Sequence, residues 1–214
     1  MDKTIEVSSR NTGTRLCLAI NYGGRAEMVD AIGSRYEPVG VVSGDHCDLI
    51  QQDGPDGDLY LLFGDVSGKG VPASLFMVRA MTLLRTEMLR PQTLEWAVQR
   101  LNAALCEDNE RCMFVTLMVT VFNRRTGELR YVSAGHNPMV LGRKGAQFEF
   151  LPAPAGILAG VNEEATYASA GVRMVPGDVL ILRADSQVFR KLVEAGGLEM
   201  VGEKDVREAE LRTR

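Results

Sequence analysis

Three aspartates stand where the chain turns: Asp45 in VSGD, Asp65 in GDVSGKGVPAS and Asp185 in LILRAD. Carboxylates on turns beside small residues suit Mg2+ or Mn2+, hard cations that take oxygen ligands and keep several waters. Glycine beside them lets a backbone carbonyl come close enough to join such a shell. Two such ions a few ångströms apart can share a water, lower its pKa and aim it in line at a phosphoryl group. Read singly, each aspartate is an ordinary turn cap. Read together, the three form a candidate cation site, and the residues alone leave both readings open. Lys69, in the same glycine-rich turn as Asp65, is a candidate for a substrate phosphate and equally a solvated turn lysine. His136 in AGHNP is expected to order a tight turn through hydrogen bonds rather than to act on substrate. His46 and Asp48 flank Asp45 and either support it or lie exposed.

The elements that must position these residues are legible from periodicity and turn signals. TRLCLAIN (14–21) reads as a buried strand ending at NYGG, and AEMVDAI (26–32) as two turns of helix. RYEPVGVVSGD and CDLIQQ flank a Gly/Asp-rich region, GPDGD (54–58) is a hairpin signal, and DLYLLFGDVSG reads as a strand. From Pro72 the period becomes helical, with Met77, Met81, Leu84 and Met88 on one face as core. A second helix follows Pro91, with Leu94, Ala97, Val98, Leu101 and Leu105 as its stripe, Thr93 as N-cap and Glu95 in its first turn. MFVTLMVTVFN and ELRYVSAGH form a hairpin around RRTG; PMVLGR, FEFLP and PGDVLILRAD are further strands. The residues from Phe189 onward are charged and weakly helical. Strands, two adjacent helices, then strands again predict an α+β fold with an antiparallel sheet. A doubly wound sheet needs regular βαβ alternation, which is lacking.

Composition narrows the function classes. The 214 residues carry 45% apolar and 24% charged side chains, the balance of one soluble globular domain. A net charge of −4 gives no basic surface for nucleic acid or anionic membrane. No apolar run reaches the roughly 20 residues that span a bilayer, and MDKTIEVSSR holds no secretory core, so the expected compartment is the cytoplasm. Four cysteines without a CxxC pair predict reduced thiols rather than a zinc site or disulfide framework. Two histidines are too few for a histidine-ligated metal, and they disfavour a Ser-His-Asp triad. Any chemistry falls to carboxylates.

VSGDHCDLI, GDVSGKGVPASLFMVRAMTLLR, FVTLMVTVFNRRTGELRYVSAGHNPMVL and PGDVLILRAD occur in this order. Together they resemble the PPM-type serine/threonine phosphatases, specifically the bacterial SpoIIE/RsbU branch, over about residues 36–185. The resemblance implies an αββα sandwich with a dinuclear Mn2+ or Mg2+ centre and a hydroxide nucleophile. It implies a phosphoserine or phosphothreonine substrate on a regulatory protein of the anti-sigma-factor antagonist type. By matched position, Asp45 and Asp65 would bridge the metals with help from the Val66 carbonyl, and Asp185 would take the place of the aspartate in the family's Thr-Asp-Gly motif. The helix after GKGVPAS would be the regulatory face, open to a sensor domain or a homodimer partner.

Two features depart from that pattern. Ala184-Asp185-Ser186 lacks the family's threonine and glycine, and serine costs more than glycine wherever φ is positive. The 29 residues after Asp185 (214 − 185) contain no Asp-Asp pair; Asp205 is the one aspartate among them. The expectation is an apparently truncated sandwich in which one metal lacks a carboxylate and binds weakly. A missing final strand would leave a sheet edge to be covered by the N-terminal strand or by a second subunit. Residues 11–32, around NYGGR, resemble a fragment of undecaprenyl diphosphate synthase, a cis-prenyltransferase. This implies a chain of composite origin, with residues 1–33 as a foreign segment, 34–188 as the phosphatase-like domain and 189–214 as a tail. Two activities compete: a metal-dependent protein phosphatase, and a weak or inactive phosphatase-like module that binds a partner. Isoprenoid diphosphate binding at Arg25 is a remote third.

Overall fold

A computed structural model describes residues 15–21, 32–37, 45–52, 57–90, 92–143, 146 and 148–183, with the backbone alone at 15–21, 32–37, 45 and 183. Its described residues form two five-stranded antiparallel sheets and two helices. One sheet carries, in spatial order, β3 (Asp45–Gln51), β4 (Leu59–Val66), β5 (Val115–Asn123), β6 (Glu128–Ala134) and β9 (Ser169–Arg173). The other runs β2 (Ile32–Glu37), β1 (Arg15–Asn21), β10 (Val179–Arg183), β7 (Val140–Gly142) and β8 (Phe148–Phe150). This is the α+β arrangement expected.

Side-chain alternation explains how the layers stack. In β4, Leu59, Leu61 and Phe63 turn toward the second sheet, where they meet Leu141, Leu180 and Leu182 in a buried cluster. The alternate residues Leu62 and Val66 turn the other way, into a cluster with the helices. β10 shows the same division, because Leu180 and Leu182 face the first sheet while Val179 and Ile181 join Val140 and Phe148 on the opposite face. Both faces being buried, VLIL reads as one continuous apolar run.

Helix α1 (Val71–Met88) and helix α2 (Leu94–Cys106) cover the outer face of the β4–β5 sheet. Met77, Met81, Leu84 and Met88 are buried as the spacing requires, and so are Leu94, Ala97, Val98, Leu101 and Leu105 of α2. Truncating a buried leucine such as Leu84 to alanine costs about 2–5 kcal/mol in comparable cores. Thr93 caps α2, its side chain accepting from the Trp96 N–H at 3.3 Å, with Glu95 in the first turn. Arg79 of α1 donates to the carbonyls of Ala104 and Glu107, satisfying the open end of α2 and locking the helices together.

The GPDGD signal falls between the paired β3 and β4, where the Gln52 N–H donates to the Asp58 carbonyl at 3.0 Å; residues 53–56 lie outside the described residues. The RRTG hairpin closes through Gly127 N–H to Asn123 O at 2.8 Å, while the Asn123 side chain accepts from the N–H groups of Arg125 and Thr126. Strand β1 pairs with β10 from Cys17↔Arg183 to Asn21↔Val179, so the N-terminal strand covers the edge of β10. Strand β9 has no counterpart among the expected strands. The short helix expected at 26–32 lies outside the described residues apart from Ile32, which opens β2. The tail from Phe189 lies outside them entirely. No helix among the described residues is long and apolar enough to cross a membrane.

Candidate metal centre

Asp45 is the first residue of β3 and Asp65 the last but one of β4, and the antiparallel register makes them direct Cα partners. Two aspartates on facing backbone positions at one end of a sheet are an arrangement that suits a cation. Asp65 falls on the face of β4 shared by Phe63 and Leu61, toward the second sheet, and is half-buried. Its carboxylate has no hydrogen bond or ion pair with any other described residue. A half-buried carboxylate without a partner among the described residues fits a divalent cation. Val66 is buried against the helices, and its carbonyl lies one peptide beyond Asp65. β10 ends at Arg183, two residues short of Asp185; Asp185 and Asp205 lie outside the described residues. Among the described residues no three of His, Cys, Asp and Glu form a metal-holding group.

The turn after Asp65 is built to be rigid. The Ser67 N–H donates to Phe114 O at 2.8 Å, and the Phe114 N–H donates back to Ser67 Oγ at 2.9 Å, tying the turn to the approach of β5. Gly68 and Gly70 have φ of 91° and 76°, the left-handed region that favours glycine. Open space surrounds both, so the requirement there is one of backbone conformation. Gly70 is the N-cap of α1, and Pro72 lies in its first turn. The glycines thus reverse the chain between the aspartate and a helix fixed on the same sheet. Lys69 is exposed at the tip of this turn.

His46 is exposed. Asp48 faces the helix side, where it forms an ion pair with Arg85 of α1 and so joins β3 to that helix. His136 does order a turn. Its N–H donates to Ser133 Oγ, whose hydroxyl donates to the His136 carbonyl, while the ring lies 4.9 Å from that of Phe63. Thr116, which the sequence did not single out, is the β5 partner of Asp65 and lies between that residue and His136. Burial, and then the charge of Asp48, push the Cys47 thiol up to about 11, so it stays protonated and inert. Val71, Leu75 and Val78 are 60%, 65% and 60% exposed on successive turns of α1, opposite its buried face.

Comparison with known proteins agrees with the fold. Phosphoserine phosphatase RsbU of Bacillus subtilis (strain 168) is 27% identical over 172 residues, covering 78% of this chain and 49% of its own length. The chain therefore spans about half of that relative. The PP2C phosphatase domain of the cell fate determinant SpoIIE from Bacillus subtilis, solved with a fragment of its regulatory domain, superposes with a TM-score of 0.64 at 18% identity, over 94% of this chain and 58% of that one. RsbX, solved in complex with magnesium, gives 0.53 at 16% identity, over 78% and 73%. These comparisons do not bear out the prenyltransferase likeness of residues 11–32 or the composite origin drawn from it; β1, from that stretch, is a strand of the sheet that holds β10. The Stage II sporulation protein E (SpoIIE) family matches residues 55–211, and the chain belongs to that family, with the PPM phosphatase fold.

Proposed function

We propose that the protein is a metal-dependent serine/threonine phosphatase that dephosphorylates a phosphoserine or phosphothreonine on a regulatory protein. The observation that carries this reading is the pairing of Asp45 with Asp65 across β3 and β4, beside a turn whose glycines and Ser67 clamp hold it in place. Asp45, Asp65, the Val66 carbonyl and Asp185 would hold Mn2+ or Mg2+. A bound ion of this kind acidifies a water and offsets charge on the phosphoryl group under attack. The chain's own residues supply the rest. The aspartates would hold the cation at the sheet end, the clamped turn would keep Asp65 in place, and Lys69, exposed on that turn, would meet the substrate phosphate.

The RsbU likeness supports a phosphoserine substrate; in this reading it sits on a cytoplasmic regulatory protein of the anti-sigma-factor antagonist type. The exposed row Val71, Leu75 and Val78 supports docking of a sensor domain or a second copy on α1. Mn2+ titration by calorimetry, with aryl phosphate hydrolysis followed on the same sample, tests the reading. Asp65→Asn is expected to abolish Mn2+-dependent turnover, a loss of at least about 100-fold for a metal ligand and its charge. Activity surviving in Asp65→Asn would overturn it. Folded wild-type protein that binds the ion without turnover would favour the partner-binding alternative.

A further inference from the structure

We propose that Thr116 and His136 are positioning residues that set cation affinity at Asp65. This rests on the metal-centre reading above. Thr116 Oγ1 lies 3.4 Å from the Asp65 carbonyl oxygen and 2.8 Å from His136 Nδ1. A threonine hydroxyl has one proton to give and two lone pairs to receive with. When it donates to Asp65 O, it accepts from His136 Nδ1–H, which selects the Nδ1-protonated tautomer. The links then run in one direction, from His136 to Thr116 to the last peptides of β4.

His136 is itself held from both sides. Its backbone exchanges two hydrogen bonds with Ser133, and its ring rests against Phe63, two residues before Asp65 on the same face of β4. The turn at residues 133–136 thus reaches Asp65 by ring packing and by a hydroxyl bridge. The carbonyl held by Thr116 belongs to the peptide that joins Asp65 to Val66. Fixing that peptide fixes both the root of the carboxylate and the direction of the next carbonyl. Partners that orient ligands in this way commonly contribute 10–100-fold in metal affinity.

A part-buried Thr–His pair also arises simply to satisfy two polar groups, so the test must read the cation rather than the fold. Mn2+ binding to the full chain is measured by calorimetry for wild type, Thr116→Val, Thr116→Ser, His136→Asn and His136→Phe, with thermal melting of each metal-free protein. Thr116→Val keeps the shape and loses the hydroxyl; His136→Phe keeps the ring on Phe63 and loses Nδ1. Both are expected to bind Mn2+ at least about tenfold more weakly. Thr116→Ser and His136→Asn, which keep a polar atom at each link, are expected to stay within about threefold of wild type, the scale of a retained link. Wild-type affinity in Thr116→Val, equal weakening in Thr116→Ser, or unfolding of both Thr116→Val and His136→Phe would overturn the proposal. Wild type that binds no Mn2+ would instead overturn the metal centre itself.

Discussion

Asp65 is held by its neighbours on three sides: Asp45 across β3, Thr116 across β5, and the Ser67 clamp on the turn that follows. Gly64 shows how tightly that stretch is packed, because a Cβ there would sit 2.8 Å from Leu117 Cδ2. A different residue contributes to behaviour at high pH. Tyr167 is buried, its hydroxyl has no hydrogen-bond partner among the described residues, and burial, then the charge of Cys106, push its pKa from 10.0 to about 12. The folded chain therefore holds this proton more tightly than the unfolded chain does. The stability linked to it is present in full below pH 10 and is lost as the pH rises toward 12. Tyr167→Phe is expected to leave melting at pH 7 unchanged or slightly raised, since it removes an unpaired hydroxyl. It should also lessen the alkaline loss by an amount on the order of 2 kcal/mol. Melting curves at neutral pH and at pH above 10 would check this, and parallel alkaline losses in both proteins would refute it. Asp45 and Asp65 stood out as candidates only through the order of the motifs around them, because each aspartate alone is an ordinary turn residue. Thr116 was not, because a threonine in VTLMVTV is ordinary strand composition and its partners lie 51 and 20 positions away.

The two helices start by different means. α2 has a side-chain cap in Thr93 and an acidic first turn, whereas α1 starts from Gly70 with no side-chain cap and no acidic residue in its first turn. Thr93→Ala is expected to cost about 1 kcal/mol, measured as a lower urea midpoint at unchanged slope. A neutral result would mean that packing of Leu94 and Ala97 alone sets the helix start. α1 relies instead on its position. Its buried face meets β4, Arg85 pairs with Asp48 of β3, and Arg79 closes the end of α2. Both helices were legible because their apolar spacing and turn residues agree. β9 was missed because SAGVR is short, only partly buried and without an apolar alternation. What defines it is the ladder with β6, a contact between distant parts of the chain.

At the scale of the molecule, the two sheets are built from distant parts of the chain. β3, β4 and β5 carry Asp45, Asp65 and Thr116, while β10 of the second sheet ends at Arg183, two positions before Asp185 in the sequence. The second sheet takes β1 and β2 from the start of the chain and β10 from its later part, so local pattern could show each strand but not their order. Within it β1 lies between β2 and β10, and its removal would open the edge of β10 and separate β2 from the sheet. Deleting residues 1–21 is therefore expected to lower the melting temperature by about 10 °C or more, since each kcal/mol lost shifts a domain of this size by about 2–4 °C. The shortened chain should also self-associate through the exposed strand edge. Sedimentation alongside thermal melting would read both effects. A monomer that melts with the full chain would show that the second sheet holds together without β1, leaving β10 as a stable edge.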